Sequence, residues 1–462
     1  MLDVRDSISA RGAALKTLIA FRRENAWPDL ALGGLIDRHM MPAREAALAM
    51  RITNGVMQNL ILCDYYIAHF SSIEFKKIEP RILDILRLSV YQLVFMNKIP
   101  HSAAVNEGVA LVGKKANPRA AGFVNAVLRS IARAVESNML PKIKGEFVQC
   151  LSIKYSHPEW LVRKLCEIMD NEAVEAFLIA NNDAYLPVTA QINTLLTDGD
   201  NVLASLIADD VETKRHEWLD GCIELRGAHS IARLNAFQKG LIYIQDAAAR
   251  LAVMATEPKP GDFIIDGCAA PGGKSFAAAI AMGNKGKIIA CDVNETKLQR
   301  LVENAERLGI SIIDTFCSDI LATTTENRDT PQDSGVSDKY IGSADIVFAD
   351  VPCSGFGVIR KKPEIRYKTE RDIAGLPDVQ KKILSALSTC VKPGGILLYS
   401  TCTIFHNENE DVVESFLSNN KQFAAESFSL PGIGHIQNGM TTLWPHTQGT
   451  DGFFICKLRR KL

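Results

Sequence analysis

The chain has 462 residues, 47% hydrophobic and 23% charged, with 52 Lys and Arg against 53 Asp and Glu and a formal net charge of -1. That composition is of a soluble globular protein with length for two to four domains. No apolar run reaches the roughly 18 residues of a membrane span, and the start MLDVRDSISARG has no secretory pattern, so a cytoplasmic location is expected. The 11 cysteines contain no CxxC pair, which argues against a zinc ribbon or a disulfide framework; no metal is expected, and most cysteines read as small buried hydrophobes. Charge is uneven: residues 1–150 hold 20 Lys and Arg against 13 Asp and Glu, and residues 151–462 hold 32 against 40. The basic part suits phosphate contacts or an ordinary solvated surface.

Residues 1 to about 135 read as helices. Apolar residues recur at three and four through SISARGAALKTLIAFRRE, PAREAALAMRITNGVMQNLILCDYYIAHF and EPRILDILRLSVYQLVFM, with Pro28, Pro42, Pro80 and Pro100 as breaks or helix starts. Two more helices follow in HSAAVNEGVALVGKKANPRAAGFVNAVLRSIARAV, split at Asn117-Pro118. Lys114, Lys115, Arg119, Arg129 and Arg133 gather near the end, as phosphate contacts or as a solvated helix face. Periodicity predicts a bundle and no more. The words LRLSVYQLVFMNKIPHSAAVNEGVAL and GFVNAVLR resemble the NusB-like RNA-binding domain at the front of certain bacterial RNA methyltransferases, and so imply RNA binding by residues 1–145.

Residues 146–240 join a helix, SHPEWLVRKLCEIMDNEAVEAFLIANN, to short strand-like pieces, PVTAQINTL and GCIELRG, and read as a small α/β connector. Tyr155, Ser156, His157, Pro158 and Trp160 are similar to the segment that precedes the catalytic domain in the same enzymes. Gln191 stands where that family has Arg, which puts one phosphate contact in doubt. Gln245 and Asp246 in GLIYIQDAAARLAV are similar to its entry helix.

Residues 241–462 alternate strands and helices, which predicts a doubly wound parallel sheet. The stretch FIIDGCAAPGGKSF, Phe263–Phe276, reads as strand, tight loop and helix start, the arrangement that places N–H groups at the ligand-binding edge of an open sheet. Its glycines fit neither GxGxxG nor a full phosphate-cradling GxxxxGK[ST] loop. KGKIIACD reads as the second strand, ending in Asp292, where a carboxylate can accept both ribose hydroxyls of a nucleoside cofactor. SIIDTFCSD reads as the third, ending in Asp319, and the polar residues 321–339 as a surface loop. The fourth, ADIVFADVPCSGFGVIRKKPEIRY, delivers Asp350 and Cys353; after a KPGG turn, ILLYSTCT delivers Cys402 to the same edge. A helix, NENEDVVESFLSNN, and a terminal strand pair complete the sheet.

Either cysteine alone reads as core. Two beside an aspartate at a nucleoside-binding edge suit a particular chemistry. Carbon 5 of a pyrimidine is too weakly nucleophilic to take a methyl group, but a thiolate added at carbon 6 turns the ring into an enamine that can. Positive charge near the thiol favours the thiolate, and a carboxyl group such as Asp350 can hydrogen-bond ring nitrogen 3 and the exocyclic amine of cytosine. The residues alone do not rank the two cysteines. DGCAAPGGKS, ADVPCSGFG and YSTCT followed by ENE resemble the RNA cytosine-5 methyltransferase family, which uses S-adenosyl-L-methionine; with the NusB-like front, the likeness covers essentially the whole chain and points to the branch acting on 16S rRNA. The resemblance implies Cys402 as nucleophile and Cys353 as the residue that promotes release. It also implies that Cys268, Ala269, Ala270, Pro271, Gly272, Gly273, Lys274, Asp292 and Asp319 hold the cofactor, with Asp350 between cofactor and base and Lys274 beside it.

The expectation is thus a helical NusB-like domain, a small α/β connector and a Rossmann-like class I methyltransferase domain, acting as a monomer on 16S rRNA or a small-subunit assembly intermediate. The same chemistry on transfer RNA or another ribosomal site, a non-catalytic RNA-binding module, and a redox role for the paired cysteines stay as alternatives. Asp350, Cys353 and Cys402 together speak against a pure binding module. Around the site, His406 reads as a remote candidate for a Cys/His dyad. Arg360, Lys361, Lys362 and Arg366 read as phosphate contacts, and Phe356 and Tyr367 as base-stacking or core residues.

Overall fold

Pro28 and Pro80 each open a helix, where the missing N–H costs nothing. The computed structural model describes residues 8–24, 26–113, 118–183, 187–227, 231–321 and 336–462. The chain divides into two units, one of Met1–Ala184 with Lys362–Tyr367 and one of Tyr185–Lys361 with Lys368–Leu462. The boundary falls inside the residues read as a connector, whose helical part lies in the first unit and whose strands lie in the second.

The first unit is helical throughout its described residues, from Ala10–Glu24 to Asn171–Asn181. Its core is built on the helix Pro80–Phe95, whose Ile82, Ile85, Leu86, Leu88, Val90 and Leu93 pack with Ile52, Val56, Met57, Ile67, Val124, Leu128 and Ile131. Gly55 lets Tyr91 cross the helix Ala43–Gln58 closely: a Cβ there would lie 1.9 Å from the Tyr91 ring. Arg119, Arg129 and Arg133 are exposed on the helix Pro118–Glu136. Lys114 and Lys115 lie outside the described residues.

Six residues from far along the chain complete this unit. The segment Lys362–Tyr367 carries Arg366, fully buried and with no carboxylate among its hydrogen-bond partners. Its Nη1 donates to the carbonyls of Gln58 at 3.0 Å, Tyr155 at 3.4 Å and Ser156 at 3.3 Å and to Oδ1 of Asn182 at 2.9 Å; Nη2 donates to the Asn181 carbonyl at 3.3 Å. Gln58, Tyr155 and Asn181 each end a helix, Ala43–Gln58, Phe147–Tyr155 and Asn171–Asn181. One guanidinium therefore meets three sets of carbonyls that have no intrahelical donor, at the negative ends of three helix dipoles. Tyr367 donates its hydroxyl to the Met57 carbonyl at 2.6 Å. Neither side chain is free for RNA, which corrects the phosphate reading of Arg366 and settles Tyr367 as core.

The second unit opens with an antiparallel sheet of β1 (Val188–Ile192), β2 (Glu212–Arg215), β3 (Cys222–Arg226) and β4 (Ile242–Ile244), in the order β2-β3-β1-β4. Then come β5 (Phe263–Asp266), β6 (Lys287–Asp292), β7 (Ile313–Cys317), β8 (Ala344–Asp350), β9 (Val391–Thr401) and β10 (Phe423–Ala425). A small pair, β11 (Phe428–Leu430) and β12 (Gly434–Ile436), precedes β13 (Met440–Leu443) and β14 (Phe453–Arg460). The main sheet runs β10-β14-β9-β8-β5-β6-β7, with β13 also on β14. Strands β5 to β9 are parallel and β14 is antiparallel to β9, so the expected parallel sheet gains a mixed edge. The third strand stops at Cys317, short of Asp319. KPGG is not a turn before the fifth strand but a bulge within it: β8 and β9 pair Ala344 with Val391 and next Ile346 with Ile396. Of residues 321–339, Leu321 and the short helix Val336–Lys339 are described; the rest of that expected loop lies outside the described residues.

Alternation across the pleat builds two cores. Ile264, Phe348 and Leu398 face the helices Ala247–Met254 and Gly273–Ala281, while Ile265, Val347 and Leu397 face Leu376–Ser388 and Glu410–Asn419. Burial on both sides explains why these strands read as continuous apolar runs. Because β6 and β7 lie to one side of β5 and β8 and β9 to the other, strand order reverses between β5 and β8, where open sheets leave a ligand crevice.

Replacing Arg366 with Ala leaves several buried carbonyls without donors. The expected loss is about 3 kcal/mol, read as a fall of roughly 5–10 °C in the first thermal transition; an unchanged melt would show that these carbonyls find other donors.

Candidate active site

The crevice is lined first by the loop after β5. Gly267 donates its N–H to the Phe348 carbonyl at 2.9 Å and Ala269 to the Cys291 carbonyl at 2.7 Å, so the loop is tied to both neighbouring strands. Gly272 sits at φ 105°, a left-handed geometry that a side chain would strain, and leads into the helix Gly273–Ala281. Asp292, at the end of β6, accepts from the N–H of Ala270 at 3.2 Å through Oδ2 and of Asn294 at 3.0 Å through Oδ1. Asp319 is exposed and accepts from the Leu321 N–H at 2.8 Å. Val293, beside Asp292, leaves 67% of its surface open. Burial holds the Cys268 thiol in its neutral form, well above its ordinary range.

Asp350 ends β8 directly beside Ser400 of β9. Ser400 donates its hydroxyl to Asp350 Oδ1 at 2.8 Å, and Lys274 Nζ donates to Oδ2 at 2.6 Å. Lys274 is 8% exposed, so its aliphatic stem is packed and its ammonium spent on this carboxylate rather than on solvent. Two residues past Ser400 along the same alternation, Cys402 brings its Sγ to 3.3 Å from Sγ of Cys353. Hydrogen bonding within the pair separates the thiols. The hydrogen bond they share lowers the Cys402 pKa, helped by the charge of Lys274 and opposed by burial, and raises that of Cys353 well above the ordinary value, helped by burial.

Asp266 has another environment. It is 1% exposed, accepts the Ser275 hydroxyl at 2.7 Å, and its pKa is pushed up to about 7, chiefly by burial.

The sheet edge thus pairs Lys274 with Asp350 and Cys353 with Cys402 by contact, and ties the 268–274 loop to Asp292 by the Ala270 hydrogen bond. Other expectations are corrected. Arg360 is 7% exposed and donates from Nε to Asp451 at 2.9 Å, while Lys361 donates to Asp246 at 2.5 Å and to Asp451 at 2.9 Å. Both cations are engaged in an ion-pair quartet with Asp246 and Asp451, Arg360 buried and Lys361 partly exposed. Lys362 is the exception: it lies in the first unit, exposed, its ammonium 5.9 Å from the Trp27 ring. Phe356 is buried against Phe405 at 5.0 Å between rings, and the exposed His406 lies 3.9 Å from Glu410. Gln191 is buried, accepting from Arg250 at 2.7 Å and donating to the Gln245 carbonyl at 3.0 Å. Sequence reasoning missed Ser400 and Asp451. Ser400 was available, since in a strand residues two apart share a face and Ser400 precedes Cys402 by two; Asp451 carried no local signal.

The residues present fit S-adenosyl-L-methionine. Helix-start N–H groups suit a carboxylate, acidic side chains at the edge suit an ammonium and a ribose diol, and an open valine suits an adenine face.

Comparisons with known proteins agree with this layout. The description "16S rRNA methyltransferase RsmB/F" matches residues 253–459, the NusB family matches 8–133, and the ferredoxin-like domain of RsmF/B-like methyltransferases matches 157–232. A probable ribosomal RNA small subunit methyltransferase B of Bacillus subtilis is 33% identical, covering 98% of this chain and 99% of its own length. The crystal structure of PH0851 superposes with a TM-score of 0.75 at 27% identity, covering 98% of this chain and 100% of that one. A methyltransferase homologue from Pyrococcus horikoshii gives 0.57 at 28% identity, covering 69% and 100%.

Because the folded-state pKa of Asp266 lies above its unfolded value, the favourable state is the protonated one, and stability is lost as pH rises from about 4 through about 7. Asp266→Asn should therefore be indistinguishable from wild type near pH 4 and more stable above pH 7, by on the order of 2–4 kcal/mol, in denaturant melts without cofactor. A difference that does not change with pH would contradict a raised Asp266.

Proposed function

This chain belongs to the ribosomal RNA small subunit methyltransferase B family, whose cofactor is S-adenosyl-L-methionine, and we propose that it methylates carbon 5 of a cytosine in 16S rRNA through a covalent cysteine adduct. The observation that carries the reading is the pair of thiols 3.3 Å apart beside an aspartate held by Lys274 and Ser400.

Cys402 is the nucleophile. Its lowered pKa favours the thiolate, which adds to carbon 6 of the base, forming the S–C6 bond and breaking the C5–C6 double bond. Asp350, fixed from both sides, accepts from the exocyclic amine and, once nitrogen 3 has taken up the proton that Cys402 gives up, from that N–H as well, so that the addition leaves the ring without net charge. S-Adenosyl-L-methionine supplies the electrophilic methyl group. For release the carbon 5 proton passes to solvent water, the electrons of that C–H bond re-form the C5–C6 double bond, and the S–C6 bond breaks with Cys402 leaving as thiolate. Cys353, kept as a thiol, donates its S–H to that departing thiolate, the contact already present in the resting pair.

Lys274 orients Asp350 and favours the Cys402 thiolate by its charge. Cys268 through Lys274, with Asp292 and Asp319, hold the cofactor. Residues 1–145 bind RNA and 241–462 carry the chemistry, joined through 146–240, in a cytoplasmic monomer acting on 16S rRNA or a small-subunit assembly intermediate. A cytosine inside folded RNA has to be turned out to reach these thiols, so a loop or helix end is the easier target.

Incubation with 16S rRNA and labelled S-adenosyl-L-methionine tests the reading. Cys402→Ala should lose at least about 10³-fold in turnover and form no denaturation-resistant protein–RNA adduct. Cys353→Ala should accumulate the adduct while releasing little 5-methylcytosine. The reversed pattern would make Cys353 the nucleophile, and methylation of transfer RNA in preference to 16S rRNA would move the substrate.

A further inference from the structure

We propose that Glu408 and Gln380 are positioning residues for the two-cysteine reaction, holding the backbone on both sides of Cys353 against the residue that follows Cys402. The inference rests on the roles just assigned to the two cysteines. Its basis is how the Cys353 segment is held. Val351 donates the last regular β8-to-β9 hydrogen bond, to the Ser400 carbonyl at 3.2 Å. The backbone next meets that strand's continuation at Gly357, whose N–H donates to the Cys402 carbonyl at 2.9 Å. Cys353 lies between these points, in a stretch without regular structure.

A buried carboxylate takes the place of the missing ladder. Glu408 is 1% exposed. Its Oε2 accepts the Ser354 N–H at 2.8 Å and the Gln380 side-chain N–H at 2.9 Å; its Oε1 accepts the Thr403 hydroxyl at 3.4 Å. Gln380 donates from the same nitrogen to the Pro352 carbonyl at 3.0 Å, and the Ser354 and Thr403 hydroxyls share a hydrogen bond at 2.7 Å. Pro352 and Ser354 flank Cys353, and Thr403 follows Cys402. The two side chains thus grip one catalytic cysteine from both neighbours and the other from one.

These partners of Glu408 are all neutral. Burying a carboxylate against neutral donors is unfavourable compared with an apolar residue of similar shape. A residue that merely filled the space between the helices Leu376–Ser388 and Glu410–Asn419 would not need the charge or the acceptor. The separation of the two sulfurs does need an acceptor here, because release of the base depends on Cys353 reaching the sulfur of Cys402, and tenths of an ångström matter to such a contact.

The test uses the full-length enzyme with 16S rRNA and labelled S-adenosyl-L-methionine, with Cys402→Ala and Cys353→Ala as controls. Glu408→Ala should lower kcat about tenfold or more, leave KM for S-adenosyl-L-methionine within about twofold, and raise the denaturation-resistant adduct toward the level in Cys353→Ala. Glu408→Gln, whose amide oxygen can accept from Ser354 and Gln380 and whose NH2 can donate to Thr403, should recover turnover to within about threefold of wild type. A merely structural role would not move the adduct level while sparing KM. If Glu408→Ala gives no cooperative melt, Gln380→Leu replaces it, with the same pattern expected. Wild-type turnover and adduct in whichever of these variants folds, or a KM that rises in step with the loss of rate, overturns the inference. If the cysteine controls behave as assigned, that failure leaves the proposed reaction standing; if Cys402→Ala still forms the adduct, the reaction and this inference fall together.

Discussion

The parallel pairing of β8 with β9 is the constraint on which the site depends. It sets Asp350 opposite Ser400, and two residues of pleat beyond Ser400 place Cys402 on the same face. A slip of one residue in that register would turn Cys402 into the opposite core and leave Asp350 facing a different partner. The bulge at residues 392–395 absorbs the length difference between the strands before the ladder reaches the site. That irregularity is kept at the amino end, and Asp350 and Ser400 are delivered in regular geometry.

Around that edge the protein spends buried charge in two ways. Lys274 and Asp350 form a pair whose ammonium also lowers the thiol beside it, so one cation orients the carboxylate and favours the thiolate. Arg360 and Lys361 meet Asp246 and Asp451 and draw the Asp246 carboxyl down to about 2 against the opposing effect of desolvation, while Asp451 is pushed up by burial and by its acidic neighbour. The loop after Cys353 is therefore fastened in place by ion pairs to Asp246 and Asp451.

The sequence was legible where local pattern and local chemistry coincide. Apolar runs ending in Asp266, Asp292 and Asp350 announced strands and their carboxyl ends at once, and helices with spacing of three and four were unambiguous in residues 10–136. It was misleading where the partner of a charge lies far along the chain. Arg360 pairs with a carboxylate 91 residues away and Lys361 with one 115 residues away, and nothing in RKKPEIRY distinguishes cations held by such partners from cations facing water. Arg366 is the extreme case, since its partners are backbone carbonyls, which every residue has. KPGG misled for another reason: two glycines signal a departure from extended geometry, and a bulge satisfies that signal as well as a turn does.

The insertion of Lys362–Tyr367 into the first unit has a consequence for synthesis. A ribosome releases the chain from its amino end, and the helices ending at Gln58, Tyr155 and Asn181 emerge long before their shared cap. Arg366 follows Asn182 by 184 residues and Gln58 by 308. At roughly 5–20 residues per second, the helical unit waits on the order of ten to forty seconds after Asn182 with its carbonyl ends uncapped. Its cap arrives after Cys353 has already been made, so the nascent helical unit reaches its final stability only when much of the second unit's sequence has already been synthesised.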